Sequence, residues 1–86
     1  MEAQYQLDIT RDTCPITFVR TKLQIEKMAV GELLRVRLRG REPLENVPRS
    51  AREEGHEIVA IEREDAISDV HCVMIRKGPA KADRDA

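Results

Sequence analysis

The chain has 86 residues, 41% hydrophobic and 36% charged, with 15 Lys and Arg against 16 Asp and Glu and a formal net charge of −1. This length makes one domain that buries roughly 60–65% of its unfolded surface, and the mix is that of a folded domain with a charged exterior rather than a disordered chain. The balanced charge offers no global field for nucleic acid, the two aromatic residues Tyr5 and Phe18 offer no stacking platform, and no apolar run approaches a membrane span.

In chain order, Tyr5, Leu7 and Ile9 alternate with Gln6 and Asp8, which predicts a first strand followed by a polar loop over residues 10–13. Pro15 suits a first helical position, with Thr13 or Cys14 as N-cap, and the helix is predicted over residues 15–28, stopping before Gly31. Phe18, Thr21, Ile25 and Met28 form one stripe and face the sheet. Ile16, Val19 and Leu23 form a second stripe, expected to pack on a neighbouring helix, with a partner-docking surface as the alternative.

Leu34, Val36 and Leu38 alternate with Arg35, Arg37 and Arg39, the cleanest strand pattern in the chain, with Arg41 just beyond. The arginines read as a solvated sheet face, with an anion-binding patch as the functional alternative. Asn46 is the expected N-cap of a short second helix, with Pro48 in its first turn, Val47 and Ala51 buried, and Gly55 as its stop. A third strand is expected over residues 57–62, a polar turn over residues 64–68, and an interior strand over residues 70–75, which are apolar on both faces. The order predicts a two-layer α/β sandwich, β-α-β-α-β-β, with a four-stranded mixed sheet and two helices on one face. Residues 1–78 form the single domain and the charged residues 79–86 a disordered tail.

Cys14 is the one strong candidate for chemistry. At a helix N-terminus, unpaired backbone N–H groups and the helix dipole favour a thiolate, the form of cysteine that attacks or carries sulfur. The N–H groups of Ile16 or Thr17, and the Thr17 hydroxyl, could donate to the sulfur. Arg11 and Arg20 could add positive charge, while Asp12 opposes it. The alternative is a small apolar cap filler. Cys72, mid-strand between His71 and Val73, reads as a core or sheet-surface thiol, and His56 as a local cap. The spacing of Cys14, Cys72, His56 and His71 does not support a metal site, and no cofactor is expected. Residues 1–4 show no basic region or apolar signal core, and with two cysteines expected to stay reduced the chain is read as cytoplasmic.

Together these features resemble the TusA (SirA-like) sulfur-carrier family. The matching residues are Leu7-Asp8, Cys14-Pro15, Gly31-Glu32, Val47-Pro48, Gly55-His56-Glu57 and Ile75-Arg76-Lys77-Gly78, which together cover residues 5–78. The resemblance implies a fold like the C-terminal domain of translation initiation factor 3 and a persulfide on Cys14. It implies a cysteine desulfurase or rhodanese-like donor, and an acceptor in tRNA thiolation, cofactor synthesis or sulfur oxidation. Pro15, Ile16 and Thr17 would support the sulfur from the helix N-terminus, and Ile16, Val19 and Leu23 would form a partner surface. The sequence departs from the family pattern at Thr17, where the usual Cys-Pro-x-Pro has its second proline, and at Arg11-Asp12, where Gly-Leu is usual. The other reading is a non-catalytic regulatory or protein-binding module that retains the fold.

Overall fold

A computed structural model describes residues 3–12, 16–64, 66–67 and 69–79. Its elements are β1 (Tyr5–Asp8), α1 (Ile16–Glu26), β2 (Leu33–Arg39), α2 (Arg41–Glu53), β3 (Glu57–Arg63) and β4 (Val70–Arg76). The four strands form one sheet in the order β1-β2-β4-β3, with β1 parallel to β2 and both other pairs antiparallel. This is the expected mixed sheet, with both helices on one face.

The alternation in β2 builds the core. Leu34, Val36 and Leu38 are fully buried. Register aligns Leu7 and Val73 with Val36, and Tyr5 and Ile75 with Leu34, so these side chains share the helix-covered face. Ile25 and Met28 from the α1 side, and Val47 and Ala51 from α2, close over them. Each Val, Leu, Ile or Met side chain among them contributes about 1.5–3 kcal/mol when fully buried. β4 is the interior strand that its two-sided apolar pattern predicts, lying between β2 and β3 with Val70 and residues 72–75 all buried.

The second helix differs from expectation. It starts at Arg41 rather than after Asn46, and Gly40, at φ +97°, is its N-cap. Pro43 is then the third helical residue, where a backbone N–H has no helical acceptor to lose. Val47-Pro48 therefore sits in the middle of the helix. Pro43, Val47, Pro48 and Ala51 are buried and Leu44 is half-buried, so one apolar stripe runs the length of α2. Its burial offsets the missing N–H of Pro48. Asn46 lies inside the helix rather than at its N-cap, and its Oδ1 accepts from Arg49 Nη2 at 2.6 Å.

The end of α2 is as predicted. Gly55 takes φ +95°, its N–H donates to the Arg52 carbonyl at 3.0 Å, and the His56 N–H donates to the Ala51 carbonyl at 2.9 Å. This pair of bonds is a Schellman closure, which needs the left-handed residue that glycine supplies.

His56 reaches farther than a local cap. Its Nδ1 accepts the Gly78 N–H at 3.0 Å, tying the exit of β4 to the α2–β3 turn. A Cβ at Gly78 would lie 2.0 Å from the Gly55 carbonyl oxygen, so this approach requires glycine. The Lys77 backbone continues the same seam through Gly31 N–H to Lys77 O and Lys77 N–H to Glu32 O. Residues 80–86 of the expected tail lie outside the described residues.

Burial, and then the charge of Lys77, lowers the His56 pKa below 6.5, with Glu54 opposing. Only the unprotonated Nδ1 can accept from Gly78. A folded-state pKa below the unfolded value makes this contribution fully present above about pH 6.5 and progressively lost as pH falls below it. Relative to His56→Gln, wild type should have its greatest advantage in Tm near neutral pH. That advantage should shrink on acidification to about pH 5.5 in paired thermal melts.

Candidate functional site

Thr13, Cys14 and Pro15 lie outside the described residues, so the expectations for Cys14 and Pro15 fall there. The segments that enter and leave them are well defined. On the entry side, Ile9 is buried and its N–H donates to the Arg37 carbonyl at 2.8 Å, extending the β1–β2 pairing by one bond.

Asp8 anchors the turn that follows. Its Oδ1 accepts the Thr10 N–H at 2.9 Å and the Thr10 hydroxyl at 2.7 Å, while its Oδ2 accepts from Arg37 Nη1 at 3.1 Å. The Thr10 hydroxyl, the Thr10 N–H and then the Arg37 guanidinium hold its pKa down to about 2, against an opposing desolvation. The Asp12 N–H closes the turn on the Ile9 carbonyl at 3.1 Å.

Asp12 is ion-paired with Arg20 of α1. The carboxylate nearest Cys14 in sequence thus carries a partner, and its opposition to a thiolate is reduced. The same pair means that Arg20 gives part of its charge to Asp12. Arg11 makes no ion pair among the described residues.

On the exit side, α1 has no acidic residue in its first turn, so its own side chains leave the positive end of the helix dipole uncompensated. Thr17 is fully buried and its carbonyl accepts the Thr21 hydroxyl at 2.8 Å. Thr17, Thr21 and Ile25 therefore form the inward face of α1.

The second α1 stripe departs from expectation. Ile16, Val19 and Leu23 are 48%, 42% and 52% exposed, so the helix packing expected of them does not cover them. The inward face of α1 is already filled by Thr17, Thr21 and Ile25, which leaves this stripe turned outward. It extends about 10 Å along the helix axis.

Arg35, Arg37 and Arg39 lie on the face of the sheet away from the helices, as predicted, but they are not uniformly free. Arg37 crosses β4 to Glu64, with Nε to Oε2 at 2.6 Å and Nη2 to Oε1 at 2.8 Å, and also holds Asp8. Arg39 makes a longer pair with Asp69 at 3.5 Å. Sequence reading missed this relay. Its signal was the run of acidic residues Asp8, Glu62 and Glu64, which falls opposite the arginines only once register is known. Register places Cys72 between Arg37 and Glu62 on the helix-free face, where it is 4% exposed. Asp8, Thr10, Arg11, Asp12, Arg20, Arg37 and Arg39 line a cleft of about 670 Å³ at the carboxyl ends of β1 and β2.

A family model described as "Sulfurtransferase TusA" matches residues 5–77. A protein of Archaeoglobus fulgidus named "Putative sulfur carrier protein" is 44% identical over 63 residues, covering 73% of this chain and 72% of its own. A likewise named protein of Methanocaldococcus jannaschii is 37% identical over 60 residues, covering 70% and 80%. The crystal structure of a SirA-like protein from Desulfitobacterium hafniense superposes with a TM-score of 0.71 at 21% identity, covering 88% of this chain and all of the other, a likeness of fold.

The Asp8 contacts predict a specific titration. Thr10→Ala should raise the Asp8 pKa from about 2 toward its ordinary value, and by more than Arg37→Gln does, because the Thr10 hydroxyl is the leading cause. Carboxyl-detected NMR titrations of the three proteins check this ordering. Since the folded-state pKa is depressed, the stabilisation from Asp8 is present above about pH 4 and is lost as pH falls toward 2.

Proposed function

Because the chain belongs to the TusA sulfurtransferase family, we propose that it carries sulfur as a persulfide on Cys14. The Cys14 thiolate attacks the terminal sulfur of a donor persulfide. A new S–S bond forms to Cys14, the donor S–S bond breaks, and the donor leaves as a thiolate. An acceptor thiolate then attacks the terminal sulfur on Cys14, and Cys14 returns as a thiolate. Each step is an exchange, so no outside oxidant or reductant is needed. The donor is a cysteine desulfurase or rhodanese-like protein, and the acceptor acts in tRNA thiolation, cofactor synthesis or sulfur oxidation. A reducing cytoplasmic setting suits a carrier thiol.

The family match carries this reading. Local features support it: an α1 N-terminus without a first-turn carboxylate, and an Asp12 already paired with Arg20. Cys72 is a poor rival, because it is buried mid-strand and an attacking thiolate needs access. Ile16, Val19 and Leu23 supply an exposed apolar contact for the proteins that exchange sulfur.

The test is intact-protein mass spectrometry after incubation with a cysteine desulfurase and cysteine, and separately with a rhodanese-type donor. Wild type and Cys72→Ser should each gain the mass of one sulfur atom, removable by reductant, and Cys14→Ser should gain none. Sulfur loading that survives in Cys14→Ser would sink the proposal.

A second reading, a binding module without sulfur transfer, is favoured by the exposed stripe together with Thr17 in place of the second motif proline. It predicts that Cys14→Ser leaves capture of the desulfurase intact. On either reading, Leu23→Asp should weaken that capture by about tenfold in a titration while leaving Tm nearly unchanged, because Leu23 is about half exposed. Unchanged affinity would remove the stripe from the interface.

A further inference from the structure

We propose that the arginine-lined cleft at the carboxyl ends of β1 and β2 receives an acidic segment of the protein that exchanges sulfur with this chain, an inference that rests on the sulfur-carrier reading. The cleft gathers Arg11, Arg20, Arg37 and Arg39 against only Asp8 and Asp12. Glu64 holds Arg37 and Asp69 reaches Arg39 from beside the opening, so the positive charge it can offer a partner lies on Arg11 and on the loosely held Arg39.

Both acidic groups are already engaged. Asp8 accepts from Thr10 and Arg37, and Asp12 pairs with Arg20. The donors left over belong to Arg11, which has no ion pair among the described residues, and to Arg39, whose contact with Asp69 is 3.5 Å long with both side chains more than half exposed. Guanidinium groups in this state favour carboxylates, which they can bind through paired N–H donors. At about 670 Å³ the cleft exceeds what one carboxylate fills, and it suits a short segment carrying several.

Placement decides between an acidic protein and other anions. Residues 10–12 and Arg20 bracket positions 13–15 in the chain, and Arg20 shares α1 with Val19 and Leu23 of the exposed apolar stripe. A partner with an acidic edge beside an apolar patch would engage both at once. An RNA strand would meet the same guanidiniums, but no aromatic side chain lines the cleft to stack a base, and two carboxylates interrupt the backbone path. Engagement through exposed charges would also speed encounter and make it sensitive to salt.

The experiment uses the full chain with three labelled probes: an oligoglutamate peptide, an oligoglutamine peptide of the same length, and an RNA oligonucleotide. Fluorescence anisotropy gives affinity and amide NMR shifts give the location. Oligoglutamate should bind, with shifts centred on residues 10–12, Arg20 and Arg39, and should weaken at least about tenfold when salt rises from low to physiological strength. Paired Arg11→Ala and Arg39→Ala substitutions should weaken it by about fivefold or more, Arg11→Lys with Arg39→Lys should restore much of the loss, and Arg52→Ala on α2 should change nothing. Oligoglutamine should not bind. No oligoglutamate binding, shifts centred elsewhere, indifference to the paired alanines, or tighter binding of RNA at these residues would overturn the inference. Binding does not need the thiol, so Cys14→Ser should bind as wild type does. The two proposals therefore fail separately: peptide binding without sulfur loading overturns the carrier reading alone, and sulfur loading without peptide binding overturns the cleft alone.

Discussion

The architecture depends on the alternation of β2. Its three aliphatic side chains are committed to the helices and its three arginines to the opposite face, and β2 is the strand that pairs with both β1 and β4. A slip of one residue would drive arginines under the helices and put Leu34, Val36 and Leu38 into water. Register is thus fixed by burial, and the charged side of the sheet inherits that register. Arg37 can meet Asp8 on one neighbour and reach over β4 to Glu64 because Val36 is held against Leu7 and Val73 on the other side. The core sets the geometry; the exposed ion pairs elaborate it, since exposed pairs of this kind add little stability alone.

Much of this was legible from local pattern. Period-two alternation located β2, the two-sided apolar run identified β4 as interior, and Gly55 marked the end of α2, each a short-range signal tied to one physical requirement. The start of α2 was not legible for a related reason. Proline at an N-terminal turn is a common arrangement, and Asn46 ahead of Pro48 offered one, whereas the true start rests on Gly40 at positive φ and on a stripe through Pro43, Leu44, Val47, Pro48 and Ala51. A stripe containing two prolines reads as turns until a sheet is present to bury it. The sheet-facing stripe of α1 was legible, since Thr21, Ile25 and Met28 are buried as expected, but whether a neighbouring helix covers Ile16, Val19 and Leu23 is decided by packing, and they are exposed.

The site was legible as residue types but not as an arrangement. Cys14 stands out by its neighbours in sequence, and Arg11, Asp12 and Arg20 could be named as influences without knowing which would meet. The fold pairs Asp12 with Arg20 and leaves Arg11 without an ion-pair partner among the described residues. It also draws in Arg37 and Arg39, more than twenty residues away in sequence, because parallel pairing of β1 and β2 brings both carboxyl ends to one edge of the sheet. Open α/β sheets place binding crevices at such an edge, where loops leave the strands and helix N-termini arrive.

The two cysteines belong to different parts of the chain. Cys72 follows from the sheet: at that register it lies between Arg37 and Glu62, buried in an interior strand, where a thiol behaves as a small apolar group and water and partners are excluded. Cys14 belongs instead to the connection from β1 to α1, whose entry is pinned by Asp8 and Thr10 and whose exit is a helix without an acidic residue in its first turn. The proposed carrier thiol would have to be offered to two different proteins in turn, a task that a connection anchored at both ends would serve. The exposed apolar stripe and the arginine cleft lie on the two segments that supply those ends. On the proposed reading the chemistry asked of the protein is slight, a thiolate and its exchange, and the surfaces on either side of positions 13–15 would decide who approaches it.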